Sequence, residues 1–206
     1  MSAEEIDNYE VVSIYHLNPE DQEKLLLTLN ECVFNWCVFN WCTFKWCTFK
    51  WCTKDQWPMG VIMPYIWRRD RVWLTGGAHR HRMAAIRRNP QVSVVATSTG
   101  TNLGPGKTLS IKGRCIIHED RETKDWFYPD FALALRGEPS AAKKFHECLD
   151  SMLRVVLEMV PEKWITYDGA KMRAHSEGTL DPSQVRAPLE LDAVRLKQEL
   201  ARRSGK

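Results

Sequence analysis

The sequence has no apolar run near the roughly 18 residues that a membrane-crossing helix needs, so no spanning helix is expected. Its first ten residues, MSAEEIDNYE, are acidic and lack the apolar stretch of a secretory leader, which points to a cytoplasmic protein with reduced thiols. It contains neither a GxGxxG turn nor a Walker loop, which argues against a dinucleotide-binding Rossmann domain and a P-loop nucleotidase. Excess charge is also scarce. Lys and Arg number 29 against 26 Asp and Glu, a net charge of +3, too little for a molecule that holds nucleic acid with its whole surface. Outside one repeat only Cys115 and Cys148 remain, and they read as buried apolar thiols rather than a disulfide. His79-x-His81 has no cysteine or carboxylate spaced to complete a metal set, so no metal is expected.

What the chain does have is a ladder of cysteines five residues apart: Cys32, Cys37, Cys42, Cys47 and Cys52. The units read CVFNW, CVFNW, CTFKW and CTFKW. Because every other position repeats too, the spacing is compositional rather than that of a zinc site. A single coil of pentapeptide solenoid would lack stacked neighbours to bury its faces. In a strand, an odd period shows successive units to opposite faces. The reading adopted is an extended or looped-out insertion over 33–52 with no chemical role. Its excision would join Cys32 to Thr53. The domain would then run over 1–180, with a charged helical tail over 181–206.

Around the insertion the elements alternate. Residues 11–17 read as a short strand or arm. Asn18 offers an N-cap and Pro19 a first helical position, for a helix reaching about residue 30. Residues 59–67 read as a buried strand, 68–71 as a hairpin turn and 72–75 as the returning strand, broken by Gly76 and Gly77. A helix over 80–88 stops at Asn89-Pro90, and strands follow over 92–97 and 108–119. Helical pieces cover 121–136. Phe145, Leu149, Met152, Val156 and Met159 suggest one long helix over 139–160. Asp168-Gly169 marks a hairpin between 163–167 and 171–175. Hairpin-linked strands with helices at the margins indicate a mainly β or α+β domain, an antiparallel barrel.

The stretch Val72-Trp73-Leu74-Thr75-Gly76-Gly77-Ala78-His79-Arg80-His81-Arg82 looks chemical. A strand ends in a hydroxyl, two glycines let a ligand approach the backbone, and a helix opens with arginines. Cations are misplaced at that helix end, where the dipole is already positive. A bound anion reverses the sign, so Thr75, Arg80 and Arg82 make a phosphate cradle. The competing reading is a solvated basic helix start.

Thr75, Arg80, Arg82, Ile86, Asn89-Pro90 and Val92-Ser93-Val94, followed by the strand of residues 108–115 with Gly113, resemble the FMN-binding split-barrel family typified by pyridoxamine 5′-phosphate oxidase. The resemblance covers about 18–175 without the insertion. It implies an antiparallel split β-barrel with peripheral helices and a homodimer with flavin between subunits. It also implies the FMN phosphate on Thr75, Arg80 and Arg82, and the ring along the backbone of Val61, Ile62, Met63 and Tyr65. The implied activity is hydride or electron transfer to a small-molecule substrate, carried by the flavin itself. Trp67 and Trp73 read as core aromatics. Val61-Ile62-Met63-Pro64-Tyr65 replaces the family's Arg-x-x-Leu-Lys strand, so oxidation of the vitamin itself is not expected.

Alternatives stay open at this point. The ligand of such a fold is a deazaflavin or a haem in other cases, with His79, His81, His118 and His175 as conceivable haem ligands. A non-catalytic flavin sensor or storage protein is another reading. A basic-helix module on nucleic acid is a third, but Ala84, Ala85 and Ile86 turn much of that helix inward and no aromatic platform flanks it.

Overall fold

The computed structural model describes residues 15–28, 46–98, 103–104 and 106–205. The first helix, α1 (Pro19–Thr28), starts where Asn18 accepts from the Asp21 N–H at 2.7 Å. Tyr15 and Leu17 precede it as buried anchors and form no strand. The rest of the 11–17 expectation lies outside the described residues, as does most of the cysteine ladder.

The ladder's last residues form β1 (Trp46–Cys52), with Cys47 and Phe49 fully buried. Seven of the twenty residues bracketed as an insertion are therefore sheet. A tight connection leads to β2 (Pro58–Pro64), where Thr53 accepts from the Trp57 N–H at 3.0 Å. The expected single buried strand over 59–67 is instead two: β2 and β3 (Ile66–Arg68), separated at Tyr65. Only Met63 of β2 is buried, because β2 ends the sheet. Pro64 cannot donate to a ladder and is tolerated on such an edge.

Arg69 and Asp70 turn the chain with φ of 53° and 55° into β4 (Arg71–Gly77). That strand runs through both glycines rather than breaking at them. It leads to α2 (His81–Arg88), β5 (Gln91–Thr97) and β6 (Lys107–His118). Asp120 then caps α3 (Arg121–Arg136), accepting from the Thr123 N–H at 2.7 Å.

The long helix expected over 139–160 does not exist. Helix α4 (Pro139–Leu149) stops, a turn intervenes, and β7 (Arg154–Asp168) begins. Val156 and Met159, three apart, lie in different clusters because side chains alternate along a strand. Nor is Asp168-Gly169 a hairpin. Asp168 caps α5 (Gly169–Ser176), accepting from the Ala170 N–H at 3.0 Å and lying 3.5 Å from the Lys107 ammonium. The last helix is α6 (Glu190–Ser204), whose Leu196 packs against buried Tyr15.

All pairings are antiparallel, in the order β2-β1-β5-β6-β7-β4-β3. The two end strands are adjacent in the chain, joined through Tyr65, so the seven-stranded sheet curls toward closure as a split half-barrel. Residues from every strand meet in one core, with Leu25 and Leu26 of α1 and Met83 and Ile86 of α2. On the opposite face Ile66, Trp73 and Val156 pack against Phe127, Tyr128 and Phe131 of α3 and Leu149 of α4. At the β6 irregularity, a Cβ on Gly113 would lie 2.0 Å from the Val160 carbonyl oxygen, so only glycine fits. Among the described residues no helix is long and apolar enough to cross a membrane.

Candidate cofactor site

Alternation along β4 decides which of its residues reach the site. Val72 and Leu74 face the main core, Trp73 and Thr75 the helical face, and Gly76 turns inward again. A side chain at Gly76 would collide with the Met83 methyl at 2.6 Å and meet the Arg82 guanidinium at 3.0 Å. Glycine there is what lets Arg82 lie back over the strand end. A Cβ on Gly77 would meet the His79 ring at 2.8 Å, so that imidazole covers the second glycine.

The turn is fixed by its own backbone. The Ala78 N–H donates to the Leu153 carbonyl at 2.7 Å, and the Arg80 N–H to the Gly77 carbonyl at 3.0 Å. Arg80 is the N-cap of α2 and supplies no side-chain acceptor, so the first helical N–H groups have no side-chain cap.

Three guanidiniums gather at this end. Burial is the main influence pushing Arg82 below its ordinary pKa, followed by the charges of Arg80 and Arg154. Its Nε is buried with no hydrogen-bond partner among the described residues. None of the three arginines forms an ion pair with a described acid, whereas Arg87 of the same helix is paired with Glu119 at 2.7 Å. Arg154 opens β7 opposite Gly77. Gathering like charges around a half-buried guanidinium is unfavourable unless an anion joins them. The residues present therefore fit a phosphate.

The structure thus brings Arg80 and Arg82 together and adds Arg154. The Thr75 hydroxyl makes no hydrogen bond to these arginines; it is buried, donates to the Val155 carbonyl at 3.0 Å and lies 3.5 Å from the Tyr128 hydroxyl, which also feels the charge of Arg154. Along β2, Ile62 is 67% exposed, Val61 packs partly on the core, and Met63 and Tyr65 are buried. The Tyr65 hydroxyl donates to the Leu26 carbonyl at 3.3 Å. Since β2 pairs only with β1, its outer row of backbone groups has no strand partner among the described residues. Trp67 and Trp73 are packing residues, edge-on to Trp164 at 5.8 Å and to Trp126 at 4.7 Å. His118 is engaged by Glu158 at 2.8 Å and His175 by Tyr15 at 3.0 Å.

Arg154 is hidden in the sequence by the helix-like apolar spacing over 139–160. The signal that finds it is the β-branched pair Val155-Val156 just after it.

Comparison with known proteins agrees with the split-barrel fold. A family model described as pyridoxamine 5′-phosphate oxidase matches residues 48–168, more than half of the chain. Among solved structures, a conserved hypothetical protein from Mycobacterium tuberculosis is 19% identical, with a TM-score of 0.51 over 60% of this chain and 76% of its own. A candidate 5-nitroimidazole antibiotic resistance protein from Bacteroides thetaiotaomicron is 13% identical, with a TM-score of 0.51 over 72% and 82%. A protein of unknown function from Agrobacterium tumefaciens is 11% identical, with a TM-score of 0.51 over 82% and 61%. At these identities the likeness is one of fold. No curated protein matches the sequence.

Proposed function

This chain belongs to the pyridoxamine 5′-phosphate oxidase family, and on that premise we propose that it binds FMN by the phosphate and works as a flavin-dependent oxidoreductase on a small molecule. The observation that carries the reading is the buried, unpartnered Arg82 Nε among three unneutralised guanidiniums. Arg80, Arg82 and Arg154 hold the phosphate, helped by the uncapped start of α2. Thr75 fixes the strand end through the Val155 carbonyl. The exposed outer edge of β2, from Val61 to Met63, offers backbone donors and acceptors to the polar rim of a ring system. A bound flavin would supply the hydride or electron transfer.

Titration of the apo-protein with FMN and with riboflavin tests this. One charged hydrogen bond contributes about 1.5–3 kcal/mol, so riboflavin should bind at least tenfold more weakly and Arg82→Ala should erase most of the difference. Equal affinity for the two flavins removes the phosphate site. The same guanidiniums suit the phosphodiester of a deazaflavin, and the absorbance spectrum of loaded protein distinguishes the two. We further propose a homodimer with the flavin at the subunit boundary, as the family resemblance implies. Light scattering should give twice the chain mass for loaded protein, and a flavin-loaded monomer overturns this part.

A further inference from the structure

Residues 1–14 carry Glu4, Glu5, Asp7 and Glu10 and no Lys, Arg or His. They precede Tyr15, whose buried ring sits edge-on to Tyr167 of β7 at 6.1 Å.

Strand register gathers a matching set of cations. Lys50 of β1 lies opposite Ser93 of β5, Ser93 opposite Lys112 of β6, and Lys112 opposite Lys163 of β7. Each is flanked by side chains packed in or on the main core, such as Phe49, Val94, Ile111 and Trp164, so alternation puts all four on the outer face. The three lysines are exposed. None is paired with a described acid, and Glu162, beside Lys163, is held by Arg114 at 2.9 Å. Like charges directly opposed across two strands, as at Lys112 and Lys163, are unfavourable. The neighbouring row on this face runs Ile62, Thr48, Val95, Ser110, Ile165. Its two ends are apolar and stand 67% and 40% exposed.

We propose that the acidic segment before Tyr15 docks across this face, with its carboxylates on the lysine row and Val11, Val12 and Ile14 beside Ile165. Tyr167, which receives Tyr15, shares its side of β7 with Ile165 and Lys163. Lys163 lies four residues back along the strand, ~13 Å away. Glu10, five residues before Tyr15, reaches ~17 Å when extended. Asp7, Glu5 and Glu4 then cover the ~14 Å of three strand spacings to Lys50. Carboxylates seated there offset the opposition of Lys112 and Lys163. The inference does not depend on flavin binding.

Two measurements on the full chain test it. The first compares lysine acetylation rates, by mass spectrometry, with those of a variant carrying Glu4→Gln, Glu5→Gln, Asp7→Asn and Glu10→Gln. Neutralising the segment should speed Lys50, Lys112 and Lys163 by up to about fivefold at low salt, the range of exposed ion pairs. Exposed Lys54 and Lys197 should not change, and 0.5 M salt should remove the difference. The second is carbodiimide cross-linking of ¹⁴N and ¹⁵N chains refolded together. Links from the segment to these lysines should join chains of one isotope. Equal rates at the three lysines, or the same increase at Lys54 and Lys197, overturn the proposal. Links mainly between isotopes also overturn it and give the face to a second copy.

Discussion

At the scale of single residues, the proposed cofactor site rests on an imbalance. Arg154 adds a third positive charge beside Arg80 and Arg82, and nothing described neutralises it. Its substitution should therefore act in opposite directions on two measurements. Without ligand, Arg154→Ala relieves like-charge crowding, and the thermal midpoint should hold or rise. With FMN, it loses a charged hydrogen bond, and affinity should fall roughly 10- to 150-fold. Calorimetric unfolding with and without FMN checks both halves. A variant destabilised without ligand and unchanged in affinity would assign Arg154 to packing instead.

At the scale of elements, β1 joins β2 to the rest of the sheet through β5. Removing all of 33–52 deletes β1, and with it the fully buried Phe49, whose loss alone costs about 3–5 kcal/mol. Removing only 33–47 places Cys32 directly before Thr48 and keeps Thr48-Phe49-Lys50-Trp51-Cys52. The shorter deletion should fold and bind FMN, and the longer one should unfold. Circular dichroism melts and FMN titration of both variants check this. The same elements show what the sequence made legible. Strands and helices bounded by strong punctuation, such as α1 after Asn18-Pro19 and α2 before Asn89-Pro90, were readable from local chemistry. The 139–160 stretch was not, because Phe145, Leu149, Val156 and Met159 mimic a helical stripe while belonging to α4 and both faces of β7. The proposed phosphate cradle was half legible: Arg80 and Arg82 are neighbours in sequence, but Arg154 reaches them only through the β4–β7 ladder.

At the scale of the whole molecule, closure of the curled sheet concentrates ionisable groups in an apolar interior. Cys115 is pushed by burial from 9.0 up to about 12, and burial raises Cys47 and Tyr65 as well. The unfolded chain's thiol ionises near 9.0, the folded Cys115 only near 12. Stability from this thiol is thus complete below the lower value and is lost as pH rises through the window between them. Denaturant midpoints should fall steadily as pH rises above 9. Cys115→Ala, compared with its own neutral-pH midpoint, should show a shallower fall.

The heptapeptide of β1, WCTFKWC, occurs twice, at 46–52 and identically at 41–47. The slot between β2 and β5 therefore cannot tell the two copies apart by any side chain. Discrimination falls to the connection: the second copy reaches β2 through the short link closed by Thr53 and Trp57, while the first would add five residues to it. Lengthening a loop carries only a modest entropic cost. The nascent chain thus folds with two interchangeable candidates for one strand, a degeneracy that lets the tract gain or lose whole units without rewriting the barrel.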